Sequence, residues 1–185
     1  MNTEKLTPRE FLEHLRSFSY PGVFSTSGKE LPEDSNERKR IVSDIVTVSD
    51  EFLKKIHDDP KLLYELSPRR FEELVAEILK RLGYAVILTP ASKDGGKDIY
   101  AAKQDQLGTF LYIVECKKHS PDHPIGVALV RQLNGVIQAE QATVGILATT
   151  SFFTKGAKEF QKQVAFQISL KDYFGIQKWL DEVIM

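Results

Sequence analysis

Asp98, Glu115 and Lys117 are the residues whose types and spacing bear most directly on chemistry in this 185-residue chain. Glu115-Cys116-Lys117 closes an apolar, β-branched and aromatic run that begins at Thr109, the composition of a strand. Residues two apart on a strand share a face, so Glu115 and Lys117 point together while Cys116 points away. Ile99 to Lys103 reads as a shorter strand, joined to the first by a turn over 104–108. Folding that hairpin brings Asp98 beside Glu115. Two carboxylates converging near a lysine can hold a hard divalent cation and a water next to a phosphate.

The surrounding elements must position this trio. Ser67 caps a helix with Pro68 in its first turn and Phe71, Leu74, Val75, Ile78, Leu79 and Leu82 on one stripe, and Gly83 ends it. Glu72 lies at the edge of the stripe, with Glu73 and Glu77 well outside it. Read alone, Glu72 is an ordinary solvated glutamate. An apolar strand follows over 84–91, then a loop over 92–97 whose paired glycines allow close approach of chain to ligand. Asp94 in that loop reads as capping its own turn. Helices over 127–138, 154–164 and 173–183 alternate with strands over 143–149 and 167–170. That order predicts an α/β fold, a central sheet covered on both faces.

The first 66 residues differ in character. Thr7 to Leu15 predicts a short capped helix, 20–36 a loop, 39–48 a strand, and Ser49 opens a helix toward His57 before a further helical turn at 59–66. This division sets an N-terminal accessory segment, 1–66, apart from a domain over 67–185. Phe11, Leu12, Leu15, Phe18, Phe24, Ile41, Val42, Ile45 and Val46 are too many apolar residues for so short a segment to bury alone. They are expected either to contact a second copy in a homodimer or to pack on the chain's own larger domain.

The ordered blocks Phe71-Glu72-Glu73-Leu74-Val75 with Gly83-Tyr84, Asp94-Gly95-Gly96-Lys97-Asp98, Glu115-Cys116-Lys117-Lys118, Val130 to Gly135, Gly145 to Ser151 and Phe153 to Ala157 resemble the Mrr-type restriction endonuclease catalytic domain, a branch of the PD-(D/E)xK nucleases. A lone Asp…Glu-x-Lys is a weak signal, but the blocks in this order are a strong one. The resemblance runs from Ser67 to near the C-terminus. It implies a restriction-endonuclease-like α/β/α sandwich with a central mixed sheet, preceded here by a small, mostly helical N-terminal extension.

In activity, the resemblance implies a metal-dependent endonuclease hydrolysing DNA phosphodiester bonds, in restriction or defence against foreign DNA. Asp98 and Glu115 match the metal ligands, with the Cys116 backbone carbonyl as a third donor, and Lys117 matches the catalytic lysine. Glu72 and Gln132 match accessory polar positions. Mg²⁺ is the expected ion, with Mn²⁺ able to substitute. A repair or junction-resolving nuclease shares the same core. A nuclease-fold subunit that binds DNA and acts only within a larger defence complex is a further reading.

Composition agrees without adding direction. Hydrophobic content of 42% and charged content of 28% are those of a globular protein, and the net charge of −1 shows no basic excess for nucleic acid. A single cysteine excludes an internal disulfide and fits a reducing, cytoplasmic setting. Neither a signal peptide nor a membrane span is expected. His119 and His123 are four apart, but Pro121 and Pro124 prevent the helix that would align them for zinc, so this is a loop at the mouth of the site. Lys155, Lys158 and Lys162 form a basic stripe that DNA could follow, or simply the wet side of a helix. Thr149-Thr150-Ser151, at a strand end, could offer hydroxyls and amides to a phosphate.

Overall fold

The computed structural model describes residues 48–89, 97–106 and 108–184. The expected strand over 39–48 falls almost wholly outside them, as do the glycine pair and Asp94 of the 92–97 loop. The chain divides into two compact units, residues 1–47 and 48–185, and every described residue belongs to the second.

The elements of that second unit are α1 (Asp50–Asp58), a 3₁₀ turn (Pro60–Tyr64), α2 (Pro68–Arg81), β1 (Ala85–Leu88), β2 (Ile99–Asp105), β3 (Gly108–Lys117), α3 (Val127–Ala139), β4 (Val144–Thr149), α4 (Lys155–Gln163), β5 (Ile168–Lys171) and α5 (Tyr173–Ile184). Three helices start on side-chain caps, in which Ser49, Ser67 and Thr154 accept a backbone N–H of the first turn. After α2 the chain turns at Gly83, whose φ of +85° lies in the left-handed region that favours glycine.

The five strands lie in the order β1-β2-β3-β4-β5. β1, β2 and β3 are antiparallel neighbours, while β3, β4 and β5 run parallel, so the sheet is mixed. The parallel pairs follow from the helical crossovers α3 and α4. Ile99, Ala101, Val114, Cys116, Ile146 and Ala148 form one core with buried residues of α1, α2 and α5. The alternate residues Ile113, Gly145 and Leu147 face the other way, and there α3 buries Val130, Leu133 and Ile137. A Cβ built on Gly145 would lie 2.5 Å from Ile137 Cδ1 and 3.0 Å from Leu133 Cγ, so α3 seats directly on this glycine.

Two features differ from the sequence reading. Val48, Leu53, Ile56 and Leu63 are fully buried in the same core as Phe71 and Leu74, so 48–66 belongs to the larger unit rather than to a separate extension. Short, charged helices hid this, because their few apolar residues are buried only by tertiary contact with α2 and α5. Glu73 is also buried, although it lies off the apolar stripe. Its carboxylate pairs with Arg70 at 2.7 Å, and the Arg70 guanidinium lies over the Phe52 ring of α1. Arg69 and Arg70 hold the Glu73 carboxylate where patterning assigns water.

Candidate active site

The hairpin of β2 and β3 places the acidic residues. Ile99 pairs with Val114 at the end of the ladder, and just beyond it the Asp98 amide still donates to the Val114 carbonyl at 3.1 Å. This brings Asp98 near Glu115, whose carboxyl feels its charge, and Asp98 Oδ2 accepts the Cys116 amide at 2.6 Å. Thr89, just beyond β1, binds the same segment from the other side: its hydroxyl reaches the carbonyls of Lys97 and Asp98 at 2.8 and 3.1 Å. Lys97 is tied to Glu140 near the end of α3 by an ion pair.

Glu115 is 1% exposed, and neither carboxylate oxygen has a hydrogen-bond partner among the described residues. Lys117 Nζ lies 2.8 Å from Oε1 as an ion pair, and no hydrogen bond or ion pair among the described residues reaches Oε2. A buried carboxylate in that condition is costly unless something completes its coordination. Burial pushes the Glu115 carboxyl above its ordinary value, the Asp98 charge adds to this, and Lys117 opposes it. Burial also raises Asp98, against the Cys116 amide, Lys117 and Arg69. Burial works to lower the Lys117 ammonium, but Glu115 and Asp98 outweigh it and its pKa is raised, so this lysine is held charged.

Glu72 approaches from α2. Burial raises its carboxyl, and the Asp98 charge raises it further. Arg69 opposes this, donating to Glu72 at 3.0 Å and to the Thr89 carbonyl at 2.7 Å. Asp98, Glu115, Lys117 and Glu72 are thus brought together. Gln132 is exposed on α3, and no contact links it to these four among the described residues. Arg69 is a participant that pattern reading passed over. Its spacing of three from Glu72 on a helix was the available signal.

Cys116 is buried at 8% exposure on the opposite face, and burial pushes its thiol well above the ordinary range. His119 and His123 bind each other's loop: His119 Nδ1 lies 3.2 Å from the His123 carbonyl, and Ser120 Oγ 2.8 Å from His123 Nδ1. The hydroxyls of Thr149, Thr150 and Ser151 are buried and bonded to backbone, so they are not offered to a phosphate. Lys155, Lys158 and Lys162 are exposed on α4.

Among the described residues, no group of three or more His, Cys, Asp or Glu side chains gathers as a metal site. Asp98 and Glu115 are hard oxygen donors of the kind a divalent ion takes, and the buried Oε2 of Glu115 has no hydrogen-bond partner among the described residues. No helix among the described residues is long and apolar enough to cross a membrane.

Residues 63–180 match the restriction endonuclease family model Mrr_cat. An uncharacterized protein of Sinorhizobium fredii is 38% identical over 104 residues, which are 56% of this chain and 27% of that protein. The type IV methyl-directed restriction enzyme EcoKMrr of Escherichia coli is 31% identical over 125 residues, 62% of this chain and 40% of the enzyme. The chain therefore spans well under half the length of each of these relatives. Among solved structures, the DNA modification-dependent restriction endonuclease AspBHI aligns with a TM-score of 0.53 at 19% identity, over 98% of this chain and 46% of that one. The MspJI restriction endonuclease bound to a 27-mer oligonucleotide aligns at 0.48 and 16%, over 89% and 40%. The mixed sheet between helical layers is a restriction-endonuclease-like fold. With the family model matched across well over half its length, the chain belongs to the Mrr_cat restriction endonuclease family.

Proposed function

We propose that this protein is a divalent-metal-dependent DNA endonuclease acting in restriction or defence against foreign DNA. The observation that carries this reading is the buried Glu115 carboxylate, incompletely bonded, beside Lys117 and near Asp98. A fold alone needs no such arrangement, and DNA binding alone is weakened by carboxylates that repel phosphate. The metal ligands are Asp98, Glu115 and the Cys116 carbonyl, and the ion is Mg²⁺, with Mn²⁺ able to replace it. When bound there, such an ion supplies positive charge toward the phosphate and makes its water more acidic.

The chain's own groups do the rest. Asp98 is held by the Cys116 amide, which donates to its Oδ2. Lys117, held as an ammonium, offsets the negative charge that grows on the attacked phosphate and orients the attacking water. Glu72, steadied by Arg69, is placed to accept a hydrogen bond from a water at the site's edge. One such site cuts one strand, so duplex cleavage in one encounter calls for two sites of opposite polarity. A twofold homodimer provides them.

Incubation of plasmid from methylating and non-methylating hosts, with Mg²⁺ or with EDTA, tests the reading. Linear or fragmented product only with Mg²⁺ is expected. Intact plasmid of both kinds in Mg²⁺ and in Mn²⁺ would remove the nuclease assignment for the isolated chain.

A further inference from the structure

Three successive polar residues at the end of β4 are fully buried: Thr149, Thr150 and Ser151. Such burial is unfavourable unless each hydroxyl finds a partner. The partners here are not scattered. Thr149 Oγ1 donates to the Lys117 carbonyl at 2.6 Å and accepts the Ser151 amide at 3.1 Å. Thr150 Oγ1 donates to the His119 carbonyl at 2.6 Å and accepts the His119 amide at 3.0 Å. Ser151 Oγ donates to the His123 carbonyl at 3.1 Å.

All three hydroxyls therefore grip the segment that leaves the site strand directly after Lys117. The β3–β4 ladder ends at the pair Lys117 and Thr149, so backbone groups beyond it have lost their sheet partners. The 118–124 loop contains two prolines and forms no strand. Without a second attachment, the last residue of β3 would be held from one side only. The ends of the gripping segment are themselves anchored, as the Tyr173 amide donates to the Ser151 carbonyl and the Ile125 amide to the Phe152 carbonyl.

We infer that Thr149, Thr150 and Ser151 act as a hydroxyl clasp, a set of positioning residues that fixes the backbone at Lys117 and so the place of its ammonium beside Glu115. This rests on the proposed role of Lys117 in phosphodiester hydrolysis. The clasp touches neither DNA nor the reacting atoms.

The test compares Thr149→Val and Thr150→Val, which keep shape and lose the hydroxyl, with Thr149→Ser and Thr150→Ser, which keep it, all in the full chain. The valine variants should cut plasmid roughly tenfold or more slowly at saturating DNA, with KM nearly unchanged and a cooperative melt. The serine variants should recover most of the rate. Ser151→Ala, a milder deletion, should move the rate the same way by less and stands in if a valine variant does not fold. Valine variants that cut at the wild-type rate, or a loss that serine does not rescue, would overturn the clasp. If the wild-type protein cuts nothing, the nuclease reading falls, and amide hydrogen exchange then decides. Faster exchange confined to Lys117–His123 in the valine variants supports the clasp, and unchanged exchange refutes it.

Discussion

Glu115 is the residue on which the chemistry turns, because it is both buried and incompletely bonded. Its ordinary carboxyl value is 4.5 and that of Asp98 is 3.8, and burial raises both in the folded protein. The folded state then keeps protons that the unfolded chain has already released. Stability of the metal-free protein should therefore fall as pH climbs from these ordinary values through the raised ones. Mg²⁺ binds the ionised forms, so it should flatten that slope and raise the melting temperature more at neutral than at acid pH. Melts across pH 3–8 with Mg²⁺ or EDTA would check this, and equal Mg²⁺ effects at both ends would count against metal binding here. Cys116, one position away and pointing into the opposite core, should react with a thiol reagent only on unfolding. Labelling of the native protein on mixing would contradict the register that sets Glu115 on the other face.

At the scale of elements, packing of α3 on β4 depends on Gly145. Gly145→Ala should destabilise by about 1–3 kcal/mol, because its methyl would press into Ile137 and Leu133. Ile137→Ala in the same chain should return part of that loss, and denaturant melts of the single and double variants would measure it. Much of this architecture is legible in the amino-acid sequence. The cap at Ser67, the stop at Gly83 and the apolar strand ending at Lys117 each announce themselves by local rules, and the structure follows them within a residue or two. Alternation alone puts Glu115 and Lys117 on one face and Cys116 on the other. What local rules miss are contacts between distant segments. The Arg70 that pairs with Glu73 needs the Phe52 ring of α1, and the placing of Arg69 needs the Thr89 carbonyl. The spending of the Thr149, Thr150 and Ser151 hydroxyls needs the loop after Lys117. None of these is periodic, so none shows in a pattern.

For the whole molecule, the boundary that matters lies before Val48 rather than near residue 66. A chain starting at Val48 should melt cooperatively, whereas one starting at Ser67 loses Leu53, Ile56 and Leu63 and should fail to fold, since removing several core side chains costs about 2–5 kcal/mol each. Light scattering on the full chain and on the chain from Val48 addresses the proposed homodimer, with the larger species expected for the full chain. Equal monomeric masses for both would remove residues 1–47 as the dimer contact. The central claim is that Asp98, Glu115 and Lys117 form a metal-dependent phosphodiesterase centre. Its most direct test is the plasmid cleavage rate in Mg²⁺ of the wild-type protein, Asp98→Asn, Glu115→Gln and Lys117→Met, each confirmed folded by its melt. The expected result is a loss of roughly a hundredfold or more in every variant, with none cutting in EDTA. A folded Glu115→Gln variant that cuts at the wild-type rate, or wild-type cleavage that persists in EDTA, would contradict it.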